Sequence, residues 1–130
     1  MTARGDDATV RVDRVFVQRD DQAPRAARRL VDQFGDLDSD LRSNLIIVVS
    51  ELVANAVRHA PLVEEGEVRL LIALDDDRVR VEVHDPGSGF DPTPAANDLG
   101  GLGLTIVGKV AGRWGIENDE HTVVWCELTR

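Results

Sequence analysis

Lysine and cysteine are almost absent from this chain. Among its 130 residues, Lys109 is the one lysine and Cys126 the one cysteine, so a disulfide within the chain is excluded. No leader of charged and then apolar residues opens the sequence, and no apolar run is long enough to span a membrane. Acidic residues outnumber basic ones by 24 to 15, and the net charge of -9 disfavours nucleic acid and membrane surfaces as partners. We therefore expect a cytoplasmic protein.

What the chain does have is the composition of one globular domain. Hydrophobic residues make up 42% of it and charged residues 30%, well away from the composition of disordered chains. A length of 130 residues suits a single hydrophobic core. Residues 1–7 are small and polar, so we predict a loose start there and one domain over residues 8–130.

The hydrophobic pattern predicts strands and helices in a definite order. Strands are predicted at residues 10–17, 67–74 and 78–84, and a closing hairpin at residues 114–117 and 122–129. Helices are predicted at residues 24–34, 38–60 and 104–111, and a long loop at residues 85–99. In the first strand the alternation of valines breaks between Val12 and Val15, which predicts an irregularity such as a bulge. This order favours an α+β two-layer sandwich, in which a mixed β-sheet carries about three helices on one face.

One polar cluster lies on the long predicted helix. Glu51, Asn55 and His59 are four residues apart, with Arg58 beside them, so they project from neighbouring parts of one helix face. A carboxylate and an amide one turn apart can activate a hydroxyl or a water molecule and can bind Mg²⁺ through oxygen. The solvated face of an amphipathic helix would show the same pattern.

A second cluster follows a half-buried strand. Asp85 can accept a hydrogen bond from an exocyclic amine, while Gly87 and Gly89 let the backbone approach a flat ring where a Cβ would clash. A plain turn also uses Asp, Pro and Gly, so turn chemistry explains each of these residues separately.

A third cluster, Gly100-Gly101-Leu102-Gly103, directly precedes a predicted helix. Unpaired N–H groups and the helix dipole favour a phosphate at such a position, although glycines there also allow close packing. Residues 103–109 fit a G-x-x-x-x-G-K pattern as well, but Val110 stands where a phosphate loop has Ser or Thr. Lys109 falls about two turns into the helix, and we expect it to be an ordinary surface residue.

The three clusters and their order resemble the GHKL ATP-binding superfamily. Residues 49–60 are similar to its N box, and residues 85–90 and 100–107 are similar to its two glycine boxes. The resemblance runs from about Ala8 to the end of the chain, and it implies the Bergerat ATP-binding fold. Within the superfamily, the Ser-Glu-Leu-Val-Ala-Asn-Ala-Val-Arg-His-Ala run most resembles the stand-alone anti-sigma factor serine kinases, and histidine kinases come second.

The resemblance implies a role for each matched residue. Glu51 would be the general base for the incoming hydroxyl or water, and Asn55 would hold the Mg²⁺ that bridges the phosphates of ATP. Asp85 would accept a hydrogen bond from the adenine amino group. The other residues that the resemblance places around the nucleotide are Arg58, His59, Gly87, Gly89, Gly101, Leu102, Gly103, Leu104 and Thr122.

The resemblance also implies partners. The chain would sequester a sigma factor, phosphorylate a serine or threonine of an anti-sigma factor antagonist, and form a homodimer through the sheet edge near its first strand. The resemblance makes residues 91–99 a short ATP lid, and they include no basic residue, so nucleotide-responsive binding without phosphate transfer is an alternative. The ATP-binding domain of a histidine kinase is another, although the three histidines all fall inside the nucleotide-domain pattern and no helical segment precedes Val10.

Overall fold

The order of strands and helices along the chain is the one that the hydrophobic pattern predicts. A computed structural model describes residues 10–35, 37–59, 66–86, 106–118 and 120–130, and the predicted loose start at residues 1–7 lies outside them. The strands are β1 Val10–Val17, β2 Glu67–Leu74, β3 Arg78–Asp85, β4 Arg113–Asn118 and β5 Thr122–Thr129. The helices are α1 Ala23–Leu30, which continues as a 3-10 turn over Val31–Gln33, and α2 Ser39–His59. Residues 106–110 are also helical.

The five strands form one sheet in the order β1-β2-β3-β5-β4, and all four pairings in it are antiparallel. The α+β architecture is confirmed, but the expected mixed sheet is wrong for the described strands. Strands β3 and β4, which flank the helical residues 106–110, do run in the same direction. They are not neighbours, because β5 lies between them and pairs with both.

Strands β1 and β2 are antiparallel because two helices separate them along the chain. Helix α1 packs against α2, so the chain leaves the sheet on one helix and returns on the next. It therefore re-enters the sheet at the end it left, where Val17 pairs with Glu67. The backbone N–H of Gln18 then donates to the Gly66 carbonyl at 3.2 Å, which joins the two strand ends.

The predicted irregularity in β1 is absent. Every residue from Val10 to Val17 has one partner on β2, so the strand is regular and its two faces keep a strict alternation. Burial of Phe16 against the helices, at 4% exposure, sets the register. As a result Val15 and Val17 lie on the opposite face and stay 45% and 63% exposed.

The core lies between the helices and one face of the sheet. Helix α2 crosses β2, β3 and β5, and its apolar stripe packs on alternate residues of those strands. The fully buried large side chains of this layer are Leu45, Val48, Val49, Leu52, Val53, Val57, Val68, Leu70, Ile72, Val79 and Val81. The opposite face of the sheet, which we call the open face, carries charged and aromatic side chains instead.

Both ends of α2 are fixed by specific hydrogen bonds. At the start, the Asp38 carboxylate accepts from the backbone N–H of Asp40 at 3.1 Å, which makes Asp38 the N-cap. At the end, the backbone N–H of Arg19 donates to the Val57 carbonyl at 2.9 Å. Among the residues described, no helix has the length and apolar content needed to cross a membrane.

Candidate functional site

A pocket opens between α2 and the adjoining ends of β3 and β5. Its polar lining consists of Asn55 from α2, Asp85 from β3 and Thr122 from β5. Its apolar lining consists of Leu52, Ala56, Val83 and Val124. The three polar residues were all predicted as site residues, and the structure brings them together from separate parts of the chain.

Asp85 and Thr122 form the floor of the pocket. They lie directly opposite each other in the β3–β5 ladder, and both side chains point towards the helices. Only 5% of Asp85 and 1% of Thr122 is exposed. Within the described part of the chain every buried side-chain nitrogen or oxygen atom has a hydrogen-bond partner, so this polar pair is accommodated inside an otherwise apolar wall.

Asp85 belongs to the strand and not to the loop that the sequence predicts from residue 85 onward. It is the last residue of β3, because its pairing with Thr122 extends the ladder one residue beyond His84. The strand therefore presents the carboxylate on the buried side, after Val79, Val81 and Val83. A buried strand residue results where the first residue of a loop was expected.

Helix α2 supplies the other wall. Asn55 is partly buried and lines the pocket together with Leu52 and Ala56. Glu51 lies one turn earlier on the helix, is also partly buried, and stands next to the pocket without lining it. Arg58 is exposed and does not contribute to the lining, so the structure does not bring it to the floor of the pocket.

The end of α2 beyond Asn55 is held by Arg19, which the sequence did not single out. Its guanidinium donates to the Val57 carbonyl at 3.0 Å and also to the Arg58 carbonyl. A cation at this point satisfies carbonyls at the helix end and complements the negative end of the helix dipole. Arg19 has a positive φ of 67°, and no sequence motif predicts this conformation for an arginine.

Several predicted site residues cannot be placed. Gly87, Gly89, Gly101, Leu102, Gly103 and Leu104 lie outside the described residues, as does the predicted third cluster as a whole. His59 closes α2, but its side chain is likewise outside the description. Lys109 is exposed, as expected of an ordinary surface residue.

Four apolar lining residues were not assigned to the site from the sequence. Leu52 and Ala56 belong to the helix stripe, and Val83 continues the buried side of β3. Each pattern predicts burial correctly, but the pattern does not distinguish a side chain that packs on the core from one that also faces a pocket. Val124 has no such signal, because it lies in the unbroken apolar run of residues 123–126, where no alternation marks the buried face.

The chemistry of the pocket fits an aromatic base with polar edges. Apolar walls accept its flat faces, while a carboxylate accepts hydrogen bonds at an edge and a hydroxyl can donate or accept. For Mg²⁺ the described residues gather no group of three or more carboxylate, histidine or cysteine ligands. Mg²⁺ on a nucleotide needs few protein ligands, because phosphates and water complete its shell, so the amide oxygen of Asn55 fits this use.

Comparison with known proteins places the chain in a family. The histidine kinase-like ATPase domain family matches residues 16–127. The sensor histidine kinase PdtaS of Mycobacterium tuberculosis, found in two strains, is 39% identical to the chain over 79 residues. Those residues make up 59% of this chain and 16% of the relative's length. The chain therefore belongs to the GHKL-type family of histidine kinase-like ATPase domains, an ATP-binding family.

Proposed function

We propose that the chain binds Mg-ATP in this pocket and acts as an anti-sigma factor with serine/threonine protein kinase activity. The convergence of Asn55, Asp85 and Thr122 on one pocket carries the nucleotide-binding part of the proposal, and the resemblance of the run around Glu51 to anti-sigma factor serine kinases supports the kinase part. Asp85 would hold the adenine amino group, Thr122 would hydrogen-bond beside it, and Asn55 would hold Mg²⁺ near the phosphates. The resemblance assigns phosphate binding to the backbone amides of residues 101–104, which lie outside the described residues.

Glu51 is the proposed general base. It would take the proton from a serine hydroxyl of the protein substrate while that oxygen forms a bond to the γ-phosphorus of ATP. The bond from this phosphorus to the β–γ bridging oxygen breaks, and ADP leaves. Mg²⁺ would offset the phosphate charge during transfer. Glu51 lies one turn before Asn55 on α2. This position supports the proposed role, because both side chains can then act on one nucleotide.

A transfer assay tests the kinase proposal. The full chain is incubated with γ-labelled ATP and the anti-sigma factor antagonist proteins of the same organism. We expect a labelled antagonist, and we expect Glu51→Gln to slow labelling by about 10²- to 10⁴-fold while ATP affinity stays unchanged. Glu117→Gln, the same change at an exposed position on β4, is the matched control. Full activity of Glu51→Gln would show that the base is wrongly assigned.

The ATP-binding domain of a histidine kinase is the second candidate, and the 39% identity to PdtaS favours it. The two candidates differ in the bond that holds the transferred phosphate. A phosphoserine ester survives acid and is lost in alkali, whereas the P–N bond of phosphohistidine is lost in acid and survives alkali. Acid-stable label supports the serine kinase, and acid-labile label supports the histidine kinase. ATP binding without transfer to any protein supports a nucleotide-responsive binding module.

A sigma factor is the proposed binding partner. The support is the net charge of -9, which favours association with a basic protein surface. Calorimetric titration of the chain with each sigma factor of the organism, in ATP and then in ADP, tests this. We expect one sigma factor to bind with an affinity that depends on the nucleotide. Absence of binding in both nucleotides contradicts the proposed partner.

The proposed homodimer would pair through β1. This strand is at the edge of the described sheet and exposes Val15 and Val17, and an apolar edge strand is a template for pairing with another chain. Analytical ultracentrifugation should show a dimer that Val17→Lys converts to monomer. Thr129→Lys, at an exposed position on β5, should remain dimeric. A monomeric parent chain contradicts this part of the proposal.

A further inference from the structure

Two histidines meet on the open face, behind the floor of the pocket. His84 is on β3 and His121 immediately precedes β5. Nδ1 of His84 and Nε2 of His121 are 3.2 Å apart, and the two ring planes differ by 23°. The residues are far apart in the sequence, and the β3–β5 pairing brings them together by placing Asp85 opposite Thr122.

The contact of His84 with Glu82 indicates which ring nitrogen of His84 carries the proton. Nε2 of His84 lies 2.9 Å from a carboxylate oxygen of Glu82, and a carboxylate only accepts, so this nitrogen carries the proton. In the neutral imidazole Nδ1 then has no proton, and its lone pair is directed at His121. Glu82 is itself held by Arg80, whose Nε donates to it at 2.7 Å. A carboxylate behind a histidine is the arrangement that orients metal-binding imidazoles in proteins.

We propose that His84 and His121 bind a divalent transition-metal ion such as Zn²⁺, with water completing its coordination. Two imidazole nitrogens about 2.0–2.1 Å from a tetrahedral Zn²⁺ are roughly 3.3 Å apart, close to the 3.2 Å found between Nδ1 and Nε2. His121 accommodates the ion by placing its proton on Nδ1 and turning its exposed ring. This site is separate from the proposed nucleotide function and does not depend on it.

The surroundings of the pair are compatible with a cation. Both histidines line a cleft of about 330 Å³ that also contains Glu67 and Arg69, so there is room for water ligands. The positive charge of Arg69 is offset, because its guanidinium forms a two-point ion pair with Asp13. Glu82 and Glu67 add negative charge on the same face.

An ion at this place would link β3 to β5 next to Asp85 and Thr122. Each histidine is the chain neighbour of one floor residue and points to the opposite side of the sheet. The metal site therefore lies on the open face, while the chain neighbours of the two histidines line the pocket on the other face. Metal binding can be measured without any nucleotide present.

Calorimetric titration of the tag-free full chain with ZnCl₂, in the absence of nucleotide, tests the site. We expect one Zn²⁺ per chain, at least a 10-fold loss of affinity in His84→Asn and in His121→Asn, and a loss of about 10-fold in Glu82→Gln. His59→Gln removes the third histidine of the chain and should bind Zn²⁺ like the parent. Circular dichroism of each variant without metal checks that it is folded.

A second measurement uses the parent chain alone, in case a variant does not fold. Added Ni²⁺ is paramagnetic and broadens the amide NMR signals near its site, so we expect the signals of residues 82–86 and 120–123 to broaden first. No Zn²⁺ binding by the parent chain, or unchanged binding in a folded His84→Asn, His121→Asn double variant, overturns the proposal. Broadening centred elsewhere overturns it as well.

Discussion

Arg19 closes the end of α2 by donating its backbone N–H to the carbonyl of Val57 at 2.9 Å. The guanidinium reaches the same carbonyl and the next one along the helix. To do both, the residue adopts a φ of 67°, which is unfavourable for any residue with a Cβ. The contact ties the turn after β1 to the helix that carries Glu51 and Asn55.

Two substitutions of Arg19 separate the side-chain contacts from the backbone strain. Both Arg19→Ala and Arg19→Gly lose the guanidinium, and each should lower the free energy of unfolding by about 1–2 kcal/mol. Glycine adopts a positive φ without a steric cost, so we expect the glycine variant to be the more stable of the two. Urea denaturation measures this order. An alanine variant as stable as the glycine variant would contradict the strained conformation.

The thiol of Cys126 should not react with thiol reagents in the folded protein. Its side chain is fully buried in β5, and burial raises the pKa of the thiol to about 12. The thiolate is the reactive species, so an aromatic disulfide reagent at about pH 8 should label the chain only after unfolding in urea. Labelling of the native chain within minutes would show that this part of the sheet opens readily.

Glu82 should contribute to stability in a pH-dependent way. Burial acts to raise the pKa of this carboxyl, but hydrogen bonds from Arg80 and His84 outweigh it, so the pKa lies below its ordinary value of 4.5. A lowered pKa means that the folded state favours the ionised form. The stabilisation is complete above pH 4.5, the ordinary value, and is lost as the pH falls through the lower pKa of the folded state.

The matched variant for this effect is Glu82→Gln, which keeps an acceptor oxygen and loses the charge. At neutral pH we expect the parent chain to be more stable by about 0.5–1 kcal/mol. The difference should shrink as the pH falls below 4.5, because the folded parent carboxyl also loses its charge in that range. Urea midpoints of both proteins, at neutral pH and across the acid range, measure it, and a difference that grows on acidification would contradict the lowered pKa.

The fold was predictable wherever burial alone decides the pattern. The alternation of Val79, Val81 and Val83 with polar residues placed β3, and the bounds of β2 and β5 agree with the sequence pattern. The β1 irregularity was a wrong prediction, because the valine pattern suggested a change of face there. In the structure Phe16 is the residue that sets the buried face, and the edge position tolerates exposed valines.

The order of strands could not be read from local patterns. Insertion of β5 between β3 and β4 depends on long-range pairing, and periodicity records only which face of a strand is buried. The pairing of β3 with β5 places Asp85 opposite Thr122 and brings His84 next to His121. Neither pair has a fixed spacing that a motif could capture, so the histidine pair was missed.

The candidate site was predictable in part, and for a different reason. Asn55 and Asp85 stand in motifs whose order along the chain resembles a known superfamily, and the structure brings both to one pocket with Thr122. The resemblance also named Arg58, which is exposed and lies off the lining. Helical spacing puts residues on neighbouring parts of a face, but it does not decide how far that face extends over the pocket.

ATP binding by Asp85→Asn tests the central claim most directly. In the proposed function an ionised Asp85 would offer only acceptors to the base, which suits the amino group of adenine and opposes the carbonyl of guanine. Asparagine offers both an acceptor and a donor. Calorimetry with ATP and with GTP, on the parent and the variant, measures the change, and Asp77→Asn is the control at an exposed position before β3.

We expect the parent chain and Asp77→Asn to prefer ATP over GTP. In Asp85→Asn, ATP affinity should fall by about 10- to 100-fold, since loss of a buried partner costs about 1–3 kcal/mol, and the preference for ATP should narrow. A folded Asp85→Asn that binds ATP as tightly as the parent, with the same preference over GTP, would contradict adenine recognition by this pocket.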